Sequence, residues 1–324
     1  MVRRVFAILS STDACFEYRV RLPLTELNRR GGWDCAWGAP GLDIADYDVV
    51  IGQRLAGPNP QWLALCKDPD VLCVYDADDD LTDLDPENEI PYSIYAPLTE
   101  DTRANMAAAD VVTCCVPAAA ERIAKHINPN VAVLPICADP AWIDLPLRTR
   151  AGSLTVGWGG SPFHGQDWQA LPPHLAEYAG RVPHASFHAF GADYTRGAFG
   201  ARTRVAGLQA LPHYLAAVDL DIGVAPLNPA LRGSATRSHT KPLEYACRGA
   251  PVIAQACGQY LDWVDEGVNG HLVRDESEWV DYLLALTDDA VRARMSTAAR
   301  DKARQFTIDK HAHLWERVYG GGSV

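Results

Sequence analysis

Short apolar runs alternate with amphipathic stretches along the whole 324-residue chain. The runs VRRVFAIL, WDCAWG, YDVVIGQ, VLCVYDAD, VVTCCV and VAVLPI have the length and β-branched character of buried strands. Between them lie helical segments. PLTELNRR is closed by Gly31 and Gly32, and NPQWLALC joins two strands. TEDTRANMAAAD carries Thr99 as a cap, and PAAAERIAKHI has Pro117 in its first turn. Residues 138–153, ADPAWIDLPLRTRAGS, have no period and read as a linker. The alternation then restarts with SLTVGWGG, a helix around Asp167–Tyr178, ASFHAFG, TRVAGL, LPHYLAAV, LDIGVAPL, KPLEYACRG, PVIAQ and GHLV. Helices over 277–306 and a final amphipathic helix, IDKHAHLWERVY, complete it. Strands alternating with helices predict an α/β protein with two doubly wound parallel sheets, residues 1–140 and 141–306, facing a cleft.

Charge narrows the function. The net charge of −12 argues against general capture of nucleic acid or anionic membrane. The distribution is uneven: thirteen acids stand against Lys67 and Arg103 over 67–110, and seven cations against three acids over 196–248. No apolar run reaches the roughly 18–20 residues of a membrane helix, and the start MVRRVFAIL is too short for a secretory signal, so a cytoplasmic protein is expected. The nine cysteines show no C-x-x-C spacing and sit mostly in strand-like runs, as reduced core thiols would.

Four stretches carry candidate chemistry. Residues 221–273 end a buried strand, pass through a loop rich in Arg, Ser and Thr, and enter a helix at Lys241 with Glu244 expected in its first turn. Free N–H groups at a helix start favour an anion, and Arg237, Ser238, Thr240 and Lys241 supply phosphate partners. Glu244 repels phosphate but accepts the hydroxyls of a ribose, so the set describes a nucleotide-diphosphate pocket; the competing reading is a capped, surface-charged helix start. The loop GWGGSPFHG offers Gly159, Gly160 and Ser161 for close backbone approach, with His164 beside them, and lacks the G-x-G-x-x-G of a nicotinamide site. The run YDADDDL places Asp76, Asp78, Asp79 and Asp80 after a strand, as oxygen ligands for a hard cation or as binding or loop-forming groups. Asp13, Tyr18, Arg19, Gln53 and Arg54 follow strand ends, the side of an open α/β sheet where ligands bind.

The stretch K-x-x-E-Y-x-C-x-G-x-P-V-I-A at 241–254, followed by E-G-V-N-G-H-L-V at 266–273, resembles retaining glycosyltransferases of the GT-B fold, in the broad family-four-like group. Its compact members from actinobacteria and their phages are also similar at Cys15, Tyr18, Arg19, Val20 and Pro23, and at Y-D-x-D-D-D-L. The resemblance implies metal-independent transfer of a hexose from a nucleotide-diphospho-sugar, UDP-linked for preference, with no cofactor. It assigns Arg237, Lys241 and His164 to catalysis. Donor binding falls to Gly159, Gly160, Ser161, Ser238, Thr240, Glu244 and Arg19, and acceptor binding to Asp13, Asp76, Asp78 and Asp79. It also implies that a helix at 307–324 crosses back to the first domain. The implied acceptors are an envelope glycan or lipid, a virion protein, or a hydroxylated base in phage DNA. Many members carry a further glutamate eight residues before the ribose-binding one, where this chain has Thr236; a silent nucleotide-sugar-binding protein is the alternative.

Overall fold

The structure is a computed structural model that describes residues 2–39, 46–146, 154–207 and 209–322. The chain divides into two compact units, Met1–Asp139 with Thr307–Val324, and Pro140–Phe306. The first unit holds β1 (Arg3–Ile8), β2 (Trp33–Gly38), β3 (Val49–Gln53), β4 (Leu72–Asp76), β5 (Val111–Cys114) and β6 (Val131–Val133), ordered β2-β1-β3-β4-β5-β6. The second holds β7 (Leu154–Gly160), β8 (Ala185–Gly191), β9 (Thr203–Ala206), β10 (Ile222–Ala225), β11 (Val252–Gln255) and β12 (Gly270–Val273), ordered β12-β11-β10-β7-β8-β9. Every pairing is parallel. This is the doubly wound α/β architecture, with strands buried on both faces and therefore written as continuous apolar runs.

Register fixes what meets at the strand ends. Gln53 pairs with Asp76 and Asp76 with Thr113, so these three side chains share one face of the first sheet. The helix Leu22–Arg30 packs against that unit's final helix, Ile308–Tyr319, through Arg30, whose guanidinium bonds Glu316 and the Asp309 carbonyl. Trp315 of the final helix is fully buried, worth about 1.5–3 kcal/mol or more for so large an apolar side chain.

Several local expectations change. The helix before Leu22 is a continuous helical entry: Ala14–Phe16, then a π-helical segment Glu17–Arg21. Thr99 caps nothing, because the helices Glu89–Tyr95 and Ala96–Leu98 run into Thr99–Ala108 and leave no free start; its hydroxyl bonds the Tyr95 carbonyl instead. The segment expected as a linker begins with an isolated bridge, Ala138 to Thr307, and the helix Pro140–Asp144; residues 147–153 lie outside the described residues. The expected helix around Asp167–Tyr178 is split into a 3₁₀ helix Pro162–Trp168 and the helix Leu171–Arg181. All nine cysteines are described, and none is in a disulfide.

Candidate functional site

In the second unit, β7 connects onward to one side of the sheet and β10 to the other, so the crevice at their carboxyl ends is the topological switch point. Tyr245 ties this point together: its hydroxyl accepts from the Gly159 N–H at 3.3 Å and donates to the Val224 carbonyl at 3.2 Å. β7 then ends in glycines for a steric reason. A Cβ at Gly159 would stand 2.4 Å from the Tyr214 hydroxyl oxygen, and one at Gly160 2.4 Å from the Trp158 ring. Ser161 caps the following 3₁₀ helix by accepting from the Phe163 N–H at 3.4 Å.

The helix Thr240–Cys247 begins beside this loop, with His239 at its N-cap and no side-chain capping bond. Ser238 and Thr240 share a hydroxyl–hydroxyl bond of 2.7 Å. Glu244 sits one turn deeper than expected and is only 2% exposed. Its Oε2 accepts from the Lys241 ammonium and the Tyr214 hydroxyl, both at 3.2 Å. Burial, then the Glu244 charge, push the Tyr214 phenol well above its ordinary range, so it stays a donor. Lys241 keeps 19% of its side chain exposed, which makes it the movable partner of the pair.

His164 lies against the Trp158 ring with centroids 5.6 Å apart, and its Nδ1 is 2.9 Å from Asp167 Oδ2. A carboxylate only accepts, so Nδ1 carries the hydrogen and Nε2 is left with the lone pair in the neutral ring. Burial lowers the His164 pKa. The Asp167 bond opposes this, and the nearby charges of Arg237 and Lys241 lower it further. The structure therefore brings His164, Arg237, Lys241 and Glu244 into one electrostatic neighbourhood beside Gly159, Gly160 and Ser161. Tyr214 and Asp167 complete it and were not singled out from the sequence. The i,i+3 spacing of His164 and Asp167 was the available signal for one; Tyr214 lay in an apolar helix that looked like plain core.

The first unit is different. Arg19, expected at a phosphate, is wholly buried, and Asp76, expected at an acceptor, is 1% exposed. Arg19 donates to both Asp76 oxygens, Nη2 to Oδ2 at 2.8 Å and Nε to Oδ1 at 3.1 Å, and Nη1 bonds the Leu134 carbonyl. Thr113 donates to the same Asp76 oxygen as Nη2, at 2.7 Å. Burial lowers the Arg19 pKa, but the Asp76 charge and hydrogen bonds more than offset this and hold the guanidinium above its ordinary range. The π-helical turn aims Arg19 inward, where it and Asp76 are buried and paired with each other.

The acidic run is likewise divided. Asp80 pairs with Arg122 and accepts from Thr82, while Asp78 is half-buried and Asp79 exposed. Burial pushes the Asp78 carboxyl up to about 6, with Asp79 adding to the shift and Arg19 and Arg54 opposing it. Asp13 is exposed and caps the helix Ala14–Phe16 through the Cys15 N–H at 2.9 Å. Gln53 is fully buried, and its amide has no hydrogen-bond partner among the described residues. Arg54 adopts φ 46° and reaches Cys15 Sγ at 3.0 Å and the Tyr95 hydroxyl at 2.9 Å. Left-handed backbone at a non-glycine residue stores strain of about 1–3 kcal/mol. Among the described residues, no three His, Cys, Asp or Glu side chains are gathered as a metal site, and no helix is long and apolar enough to cross a membrane.

Neither a family model nor a curated protein matches this sequence. Solved structures do match by shape. Sucrose-phosphate synthase from Thermosynechococcus elongatus superposes with a TM-score of 0.71 at 13% identity, covering 98% of each chain. WaaG, a glycosyltransferase involved in lipopolysaccharide biosynthesis, gives 0.68 at 13% identity, covering 98% of this chain and 100% of its own. HepE from Anabaena, solved with UDP-glucose, gives 0.67 at 16% identity, covering 98% and 99%. With two six-stranded parallel sheets in these orders and these structural likenesses, the chain has the GT-B fold of two Rossmann-like domains.

Proposed function

We propose that the protein is a glycosyltransferase that takes a sugar from a nucleotide-diphospho-sugar, UDP-linked for preference, and transfers it to an acceptor hydroxyl with retention and without a metal. The observation that carries this is the Lys241–Glu244 pair at the start of the helix Thr240–Cys247, under Tyr214 and beside the loop that ends β7. Without donor, each member neutralises the other. A bound nucleotide splits the pair: Lys241 turns to the diphosphate and Glu244 takes the ribose hydroxyls. Arg237, Ser238, Thr240 and the N–H groups of Gly160 and Ser161 add donors for the charge that grows on the leaving diphosphate. His164 contributes its Nε2 lone pair to a hydroxyl of the transferred sugar. No side-chain base is required, because in front-face transfer the departing phosphate oxygen takes the acceptor proton as the glycosidic bond forms. Acceptor recognition falls to the first unit, through Asp13, Asp78 and Asp79. An envelope glycan or lipid, a virion protein and a hydroxylated DNA base are the acceptor classes to screen.

The test is a thermal-shift and hydrolysis panel of UDP-, GDP-, ADP- and TDP-sugars with wild type and Glu244→Gln. Stabilisation by one nucleotide, lost in the variant, with slow release of nucleoside diphosphate, supports the proposal. Binding with no release over a broad acceptor screen would favour a silent nucleotide-sugar-binding protein, the reading suggested by Thr236. No shift with any nucleotide would sink both.

A further inference from the structure

A polar cavity of about 460 Å³ opens on the second unit at the carboxyl ends of β7, β10, β11 and β12. Its lining includes Gln166, Gln169, Asn228, Gln255, Arg274 and Glu276. Gln166, Asp167 and Gln169 follow β7 and Asn228 follows β10, so the cavity starts at the switch point and extends past it to Gln255 at the end of β11 and Arg274 just beyond β12. Its volume lies within the range of small-molecule pockets, about 300–1,000 Å³.

The four amides of this cavity each spend one end on the protein. Gln255 donates Nε2 to the Val273 carbonyl at 3.1 Å, and Asn228 Oδ1 accepts from the Ala230 N–H at 3.1 Å. Gln169 Nε2 donates to Gln166 Oε1. Left without a protein partner among the described residues are two acceptors, Oε1 of Gln255 and of Gln169, and two donors, Nδ2 of Asn228 and Nε2 of Gln166. That balance suits groups that both donate and accept, as every sugar hydroxyl does. Arg274 and Glu276 stand at the rim, with 58% and 70% of their side chains exposed, and the Arg274 guanidinium adds N–H donors at the mouth. Leu227 and Pro229 supply apolar wall for the C–H face of a ring.

We infer that this cavity is a second carbohydrate subsite, taking one neutral sugar unit through the amides of Gln166, Gln169, Asn228 and Gln255. The inference goes beyond the transferase reading and does not need it. Asp167 joins the two places, since its Oδ1 accepts from the Asn228 N–H at 3.2 Å and its Oδ2 holds His164.

The test is saturation-transfer NMR with the methyl glycosides of glucose, galactose, mannose and N-acetylglucosamine, with no nucleotide present. Wild type, Gln255→Leu, Arg274→Ala and Glu244→Gln are compared after circular dichroism has shown each to be folded. The expected result is binding of at least one glycoside that weakens about 5- to 10-fold in Gln255→Leu and Arg274→Ala, one or two hydrogen bonds' worth, and is unchanged in Glu244→Gln. Arg274 is exposed, so its variant serves even if Gln255→Leu fails to fold. Two results overturn the inference: no signal from any glycoside in wild type, or a signal lost in Glu244→Gln and kept in the other two, which would place the sugar in the nucleotide pocket. Failure of nucleotide binding alone would leave it standing.

Discussion

At the end of β4, the Asp76 carboxylate is surrounded by Arg19 and Thr113, all of them buried; at the start of Thr240–Cys247, the equally buried Glu244 is held by a lysine that reaches the surface. Both are carboxylate–cation pairs, and both lie on the strand-end side of a doubly wound sheet. The difference is in which partner can leave. Arg19 would have to carry its charge out of the core, a cost of several kcal/mol, whereas Lys241 exchanges one set of polar neighbours for another near solvent. A pair with no exposed member is a fixture of the fold. A pair with one partly exposed member can exchange that partner, as the proposed nucleotide site requires.

The comparison is broken most severely at its internal end. Arg19→Leu leaves Asp76 charged and buried, and urea unfolding should show a loss of about 3–5 kcal/mol. Arg19→Leu combined with Asp76→Leu should recover much of it, because no lone charge remains. A loss below about 1 kcal/mol in the single variant would mean that the pair is not a fixture.

At the exchangeable end, Glu244→Gln keeps the shape and removes the charge. Titration calorimetry should find nucleotide-sugar binding weakened about 10- to 100-fold, the value of hydrogen bonds to a charged group, with little change in unfolding free energy. A large fall in stability with unchanged binding would make Glu244 another fixture. Gly159→Ala sharpens the same point from the packing side: the added Cβ lands on the Tyr214 hydroxyl that holds Glu244. It should cost about 1–3 kcal/mol of stability and weaken binding in step.

The smallest expected effect concerns Asp78. Its folded pKa is raised above the unfolded value, so the protonated form is favoured by folding, and that contribution is lost as pH rises from about 4 through about 6. Asp78→Asn should therefore be more stable than wild type at pH 7, by about 1–2 kcal/mol, with the gain vanishing below about pH 4. Paired melts across that range check the sign.

Much of the fold was legible because buried parallel strands are written as apolar runs and their helices as amphipathic ones. Pro117 and the Gly31–Gly32 pair marked helix ends where they fall. The helix Glu89–Tyr95 was missed because Pro91 interrupts the helical pattern of EIPYSIY, and its apolar Ile90, Tyr92 and Ile94 stay exposed instead of lining a core. The residues proposed to face a nucleotide could be picked out because they cluster within a few positions of one helix start. Arg19 and Asp76 could not be sorted from their neighbours, since their pairing spans 57 positions and depends on a π-helical turn that no local pattern announces. Tyr214 and Asp167 escaped for the opposite reason: each looks ordinary until the partner it serves is in place.

The unlinked cysteines make the molecule its own unfolding reporter. Seven of them, at 15, 35, 66, 73, 114, 115 and 137, belong to the first unit, and only Cys247 and Cys257 to the second. Burial raises the thiols that are hidden, Cys114 to about 11 and Cys35 and Cys137 to about 12, so folded protein offers alkylating reagents almost no thiolate there. Each opening event would expose a set whose size names the unit that opened. Intact mass after a pulse of alkylation would then read, molecule by molecule, which half of the chain lets go first.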